Sequence, residues 1–177
     1  MNIRSTTILG VRVGSKIAMG GDGQVTLGDM QLKSKAIKVR QFNNDKVLAG
    51  FAGAAADAMS LFEKFELKLD ESKGDLQRAV VDMAKDWRMD KILRELDALL
   101  AIMDKKHSFI LSGTGDVIEP DNNIISIGSG SGYAISAAKA FLKTGIKNPF
   151  DIVKDSLLIT ADLCIYTNNK ITVLGNK

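Results

Sequence analysis

The chain carries one histidine, His107, and one cysteine, Cys164. That scarcity excludes several chemistries at once. A zinc site needs three or four His, Cys or carboxylate ligands at close spacing, and no such group stands out. A Ser-His-Asp or Cys-His apparatus would have to be built on His107, and no GxSxG elbow comes before a helix. The run Gly128-Ser129-Gly130-Ser131-Gly132 lies between a strand pattern and a helix pattern. Backbone N–H groups at such a turn could meet an anion. The dinucleotide fingerprint G-x-G-x-x-G fails at its third glycine, which here is Tyr133, and no βαβ pattern follows. The same donors could instead stabilise a developing oxyanion.

The other candidate is a threonine pair, Thr6-Thr7, at the head of a β-branched stretch. A threonine hydroxyl is a poor nucleophile at neutral pH unless a base is at hand. An α-amino group, with a pKa of about 7.7–8.0, is such a base. Cleavage of the Ser5–Thr6 bond would place nucleophile and base on one residue. A nearby lysine ammonium would favour the neutral amine, because like charge disfavours protonation. A buried aspartate would hold that lysine. Asp22, set between Gly21 and Gly23, and the basic run Lys33–Arg40 supply the types. The β-branch also restricts χ1, so Oγ1 is aimed in advance. On residue types alone, a Thr-Thr pair also satisfies strand propensity, and a basic run also suits a solvated face.

These residues need elements to position them. The 177 residues suffice for one domain with a sizeable core. An apolar share of 45%, a charged share of 25% and a net charge of +3 are those of an ordinary globule and argue against nucleic-acid binding. A single cysteine fits a reducing compartment. Met1–Arg12 carries no apolar stretch of signal-peptide length and no run approaches 18 apolar residues, so a cytosolic address is expected. Strand patterns cover Thr6–Val13, Lys16–Gly21 and Lys46–Ala52. Ala58, Leu61, Phe62, Phe65 and Leu69 then recur at helical spacing. A second helix carries Leu76, Val80, Met83 and Trp87, and the spacing extends through Leu93, Leu96 and Leu100. Strands return at Leu99–Asp104, His107–Ser112, Val117-Ile118 and Ile124–Gly128. Helices are expected over Tyr133–Lys143 and Asp151–Ala161, then a hairpin of Leu163–Thr167 with Lys170–Leu174. Helices in pairs between blocks of strands argue for an α+β, four-layer α-β-β-α sandwich.

The segments TTILGVR, GGDGQVTLG, KVLAGFAG, ADAMSLFEKFE, AKDWRMDKILRELDALL, SGTGDV, IGSGSGYA and CIYTN occur in this order. Together they resemble the HslV (ClpQ) family of proteasome-like peptidases, from Thr6 to about Asn168. The resemblance implies the N-terminal nucleophile hydrolase fold. It implies that Met1–Ser5 is a propeptide removed autocatalytically, leaving 6–177 as a single peptidase domain. Thr6 would be the nucleophile, and Asp22 and Lys38 the charge pair beside it. Ser129 would join the active-site network, and Gly130 N–H would serve as an oxyanion donor. A sodium ion would be held by the backbone carbonyls of Ala161, Cys164 and Thr167. The family usually has glycine at Ala161, and its GSGGPY loop is altered here at Ser131 and Gly132. Members assemble as two stacked hexameric rings. A hexameric AAA+ ATPase, HslU, docks on each end, delivers unfolded protein and activates the peptidase. ATP would belong to that partner, as no G-x-x-x-x-G-K-[ST] motif occurs here. A non-catalytic ring subunit of the same fold is the competing expectation.

Overall fold

The computed structural model describes residues 6–53, 55–91 and 98–175, and at 55–57 the backbone alone. The expected propeptide Met1–Ser5, and Leu93 and Leu96 of the second helix pattern, lie outside the described residues. The first block of strands is β1 (Thr7–Val13), β2 (Lys16–Asp22), β3 (Val25–Leu27), β4 (Met30–Lys33), β5 (Val39–Phe42) and β6 (Val47–Ala52). Helices α1 (Ala55–Glu71) and α2 (Leu76–Met89) follow, then β7 (Leu99–Met103), β8 (Ser108–Ser112), β9 (Val117–Ile118) and β10 (Ile124–Gly128). Helices α3 (Ser131–Lys143) and α4 (Pro149–Leu163) precede the last strand, β11 (Ile171–Gly175).

Two main antiparallel sheets form, ordered β10-β1-β2-β11 and β5-β6-β7-β8-β9. Strand alternation divides the apolar residues among three cores. Ile8, Ile17 and Met19 point between the sheets, where they meet Leu48, Ala101 and Met103. Leu9, Val11 and Ala18 point the other way, onto Ile152, Val153 and Leu157 of α4 and Ala134 and Ala138 of α3. On the second sheet Val47, Ala49, Leu100 and Ile102 face α1 and α2, which contribute Phe65, Met83 and the fully buried Trp87. The layers are therefore α-β-β-α, as the paired helices implied. Every residue of β6 is buried, so a strand with helices on one side and a sheet on the other reads as a continuous apolar run.

Helix ends follow local chemistry. Asp75 caps α2 by accepting from Arg78 N–H, and Asn148 caps α4 ahead of Pro149 in its first turn. Among the described residues no helix is long and apolar enough to cross a membrane.

Three expectations need correction. Leu163–Thr167 is not a strand and forms no hairpin with the chain's end. Leu163 closes α4, and β11 pairs with β2. The apolar types of Leu163 and Ile165 imitate a strand, yet these side chains are 61% and 80% exposed. The backbone there is satisfied by a turn, with Cys164 N–H on the Thr160 carbonyl and Thr167 N–H on the Cys164 carbonyl. The helix spacing does not extend to Leu100 either: α2 ends at Met89, and Leu100 pairs with Phe51 and Leu111 inside a sheet. Strands β3, β4 and β5 were not expected. The first two form a short ribbon with Met30 and Leu32 exposed, a pattern without an apolar face to read.

At Gly50 the two sheets approach closely. A Cβ there would run into the Ile8 side chain and lie 3.1 Å from Met19 Sδ. Gly50→Val should therefore overpack the inter-sheet layer and destabilise the fold by about 1–3 kcal/mol. A urea midpoint equal to wild type would contradict this packing.

Candidate active site

Asp22 ends β2 and is wholly buried. Its Oδ1 accepts from Lys38 Nζ at 3.1 Å and from Thr7 N–H at 2.8 Å. Its Oδ2 accepts from Gln24 N–H at 2.8 Å and Asn168 N–H at 3.4 Å. Lys38 also donates to the Gln24 carbonyl at 2.6 Å. One lysine of the basic run is thus turned inward onto Asp22, while Lys33, Lys35 and Arg40 stay exposed.

Burial pushes the Lys38 pKa below its usual 10.5, with the Asp22 charge and hydrogen bond opposing the shift. Burying this cation costs most where both folded and unfolded chains hold the proton, and the cost is relieved as pH rises from the lowered value towards 10.5.

Thr6 and Lys38 border the same cavity, of about 250 Å³. Its other walls come from Val25, Ala36, Ile37, Phe51, Gly53, Ala58, Met59 and Phe62, with Lys33 and Arg40 at its edge. The Arg40 guanidinium carbon lies 5.4 Å from the centroid of Phe62, which holds that charge over an aromatic face. The Thr6 carbonyl accepts from Ser129 N–H at 2.9 Å. Gly128, at φ +93°, makes that approach possible, because a Cβ there would collide with the Thr6 carbonyl.

Thr7 has a different environment. Its Oγ1 accepts from Gly130 N–H at 3.0 Å and shares a hydrogen with Thr167 Oγ1 at 2.7 Å. This bears on two expectations. The Gly130 N–H is directed at the Thr7 side chain in a buried contact, so the oxyanion role assigned to it does not fit this geometry. Of the donors at the Gly128–Gly132 turn, Ser129 N–H and Gly130 N–H have protein partners and face Thr6 and Thr7. Ser129 itself is exposed beside Thr6 and meets it through its backbone.

Ala161, Cys164 and Thr167 sit together at the end of α4. Ala161 is helical, so the position makes no demand for glycine. Ser131 and Gly132 open α3, and a Cβ at Gly132 would meet open space. His107 lies apart from the site, stacked on Phe109 and 3.2 Å from Glu119. The structure thus brings together Thr6, Asp22, Lys38 and the Ser129 backbone. Thr7, Gln24 and Asn168 join this network through backbone N–H groups directed at Asp22, and Gln24 also through its carbonyl, which accepts from Lys38. The sequence reading gave Gln24 and Asn168 no role; their only signal was their place in GGDGQ and CIYTN.

A model of the proteasome subunit family matches residues 3–174. The chain belongs to the proteasome family. Its structure is similar to that of eukaryotic HslV from Trypanosoma brucei, with 40% identity, a TM-score of 0.89, and 96% of this chain and 98% of that chain covered. It also shares its fold with Thiobacillus denitrificans BPH, solved in complex with epoxomicin. The TM-score there is 0.76 at 15% identity, covering 97% of this chain and 98% of that chain. The HslV likeness bears on more than fold and supports a threonine-type peptide hydrolase in general terms.

The Thr7 hydroxyl gives a direct test of the geometry. Thr7→Val leaves the Gly130 N–H and the Thr167 hydroxyl buried without their partner. It should cost about 1–3 kcal/mol in thermal or urea unfolding, whereas Thr7→Ser should retain most of that stability. Equal melting of Val and Ser variants would show that the hydroxyl does not hold these loops.

Proposed function

We propose that this chain is the threonine endopeptidase subunit of an ATP-dependent, proteasome-like protease. The observation that carries this reading is the shared cavity of Thr6 and Lys38, with the Lys38 ammonium buried against Asp22. In the reading, Met1–Ser5 is removed and Thr6 becomes the N-terminus. The Lys38 charge then favours the neutral amine of Thr6. Thr6 Oγ1 attacks the scissile carbonyl carbon as its proton passes to that amine. The tetrahedral intermediate collapses, the C–N bond breaks, and the leaving amine takes the proton from the ammonium. A water molecule next attacks the resulting ester, giving its proton to the same amine. The hydroxyl of Thr6 is regenerated as the carboxylic acid product departs. The apolar walls of the cavity suit an apolar side chain of the substrate.

The reading includes a sodium ion on the carbonyls of Ala161, Cys164 and Thr167. The donor set fits, since carbonyl oxygens suit hard cations and the carbonyl end of a helix carries partial negative charge. The Cys164 carbonyl already accepts from Thr167 N–H, which leaves it a second lone pair. When bound, the ion would supply positive charge against the end of α4. Melting temperature should rise with sodium chloride relative to choline chloride at equal ionic strength, as mass action requires of a ligand of the folded state. Identical melting in the two salts would remove the ion.

The HslV likeness supports a ring-forming oligomer. The finer reading is two stacked hexameric rings in the cytosol, capped by the hexameric AAA+ ATPase HslU, which feeds in unfolded protein and activates the sites. Thr6→Ala should lower peptide hydrolysis on the order of a thousandfold or more, with and without the ATPase and ATP. It should also retain Met1–Ser5 by intact mass. Wild-type turnover by Thr6→Ala, or a wild-type active complex that keeps Met1–Ser5, would overturn the mechanism.

A further inference from the structure

Asn168 follows α4 in an irregular turn and is half-buried. Its hydrogen bonds reach two distant segments and its own. Its own N–H donates to Asp22 Oδ2 at 3.4 Å. Its Oδ1 accepts from Gly23 N–H at 3.2 Å and from Lys170 N–H at 3.1 Å. Its Nδ2 donates to the Ser34 carbonyl at 3.0 Å. Two N–H groups on one side and a carbonyl on the other fix which atom of the amide is oxygen, because a flipped amide would oppose like groups on both sides.

The segment reached through Ser34 matters most. Residues 34–38 form neither helix nor strand, yet they carry Ala36 and Ile37 of the cavity wall and end in Lys38. This stretch packs against Gly23 so closely that a Cβ there would collide with the Ser34 carbonyl, and Ala36 N–H donates to the Gly23 carbonyl at 2.9 Å. The Asn168 side chain clasps that junction from outside, holding Gly23 with its oxygen and Ser34 with its nitrogen.

We infer that Asn168 is a positioning residue for the reaction proposed above, acting through Ser34 and Gly23 to set Lys38 and Asp22 against Thr6. It touches no reacting atom. Its effect is on distance: irregular backbone without a clasp at Ser34 lets the ammonium drift relative to the Thr6 amine. Small displacements of charged groups at a reacting centre are costly in rate, with 1 Å worth up to about a hundredfold.

The inference rests on Thr6 being the nucleophile, and the test keeps the two apart. Asn168→Ala removes all three side-chain bonds, to Gly23, Lys170 and Ser34. Asn168→Asp keeps the acceptor for Gly23 but turns an oxygen towards the Ser34 carbonyl. In the assembled full-length protein, both should lower kcat for peptide hydrolysis by about tenfold to a hundredfold. KM should change less than kcat, and melting temperature should match that of Asn169→Ala, an exposed neighbour serving as control. Rates are counted per processed Thr6 terminus, read by intact mass. Wild-type kcat in Asn168→Ala, or in Asn168→Asp, would overturn the inference. So would a loss that vanishes once rates are counted per processed terminus, or one accompanied by an equivalent fall in melting temperature. An active Thr6→Ala protein would instead overturn the mechanism itself, whatever Asn168 does.

Discussion

The Lys38–Asp22 contact takes an ammonium and a carboxylate out of water at 3.1 Å, with side chains 8% and 0% exposed. Desolvating two charges costs several kcal/mol per ion, and their attraction offsets this only when the remaining donors and acceptors are also met. Much of the local structure meets that condition. Thr7, Gln24 and Asn168 all direct backbone N–H groups at Asp22, and the Gln24 carbonyl accepts from Lys38. The contributing segments are the start of β1, the end of β2, the stretch before β5 and the turn after α4. The pair is therefore weak as a source of stability and strong as a constraint on where four segments meet. Removing either charge alone would leave the other buried without its counterion.

The layered fold supplies the frame for that meeting. β1 and β2 are adjacent antiparallel strands, so the first residues of one lie beside the last residues of the other, and Ile8 is opposite Gly21. β5 belongs to the second sheet, and Lys38 just before it reaches Asp22 across the gap between sheets. That gap must be thin there. Gly50 in β6 and Gly10 in β1 leave out the side chains that would hold the sheets apart, with a Cβ at Gly10 placed 2.7 Å from Met103 Sδ. Close sheet packing, chosen at a few small residues, is what allows a lysine of one sheet to pair with an aspartate of the other.

The layer order was legible because paired helical patterns between strand blocks admit few arrangements. The central strands were legible as well: Val47–Ala52 is apolar throughout because both of its faces are covered. Lys38 and Asp22 could be nominated as types, and the motif resemblance singled out their numbers. What could not be read was local satisfaction. Leu163–Thr167 has the composition of a strand, but its backbone groups turn back on α4, and pairing partners are a tertiary fact. The donor at Gly130 looked available for an oxyanion because sequence does not reveal that Thr7 Oγ1 lies 3.0 Å away, across a separation of 123 residues. Asn168 read as a turn residue, which it is, while its long-range bonds to Gly23 and Ser34 leave no local trace.

The adjacent threonines show how one backbone rule gives identical residues opposite surroundings. Side chains alternate across a strand, so Thr7 shares a face with Leu9 and Val11, which pack onto α3 and α4. On that face its hydroxyl meets Gly130 at the start of α3 and Thr167 beyond the end of α4. Thr6 falls in phase with Ile8, which points between the sheets, and there it borders the cavity shared with Lys38 and Phe51. A hydroxyl held between a donor and another hydroxyl is poorly placed to attack a carbonyl; one bordering a cavity beside a buried ammonium is better placed. A one-residue shift in the register of β1 would exchange the two faces, and with them the two environments. In the proposed mechanism, the pairing of Thr7 with Gly128 and of Ile8 with Gly21 is thus a requirement of the chemistry as much as of the core.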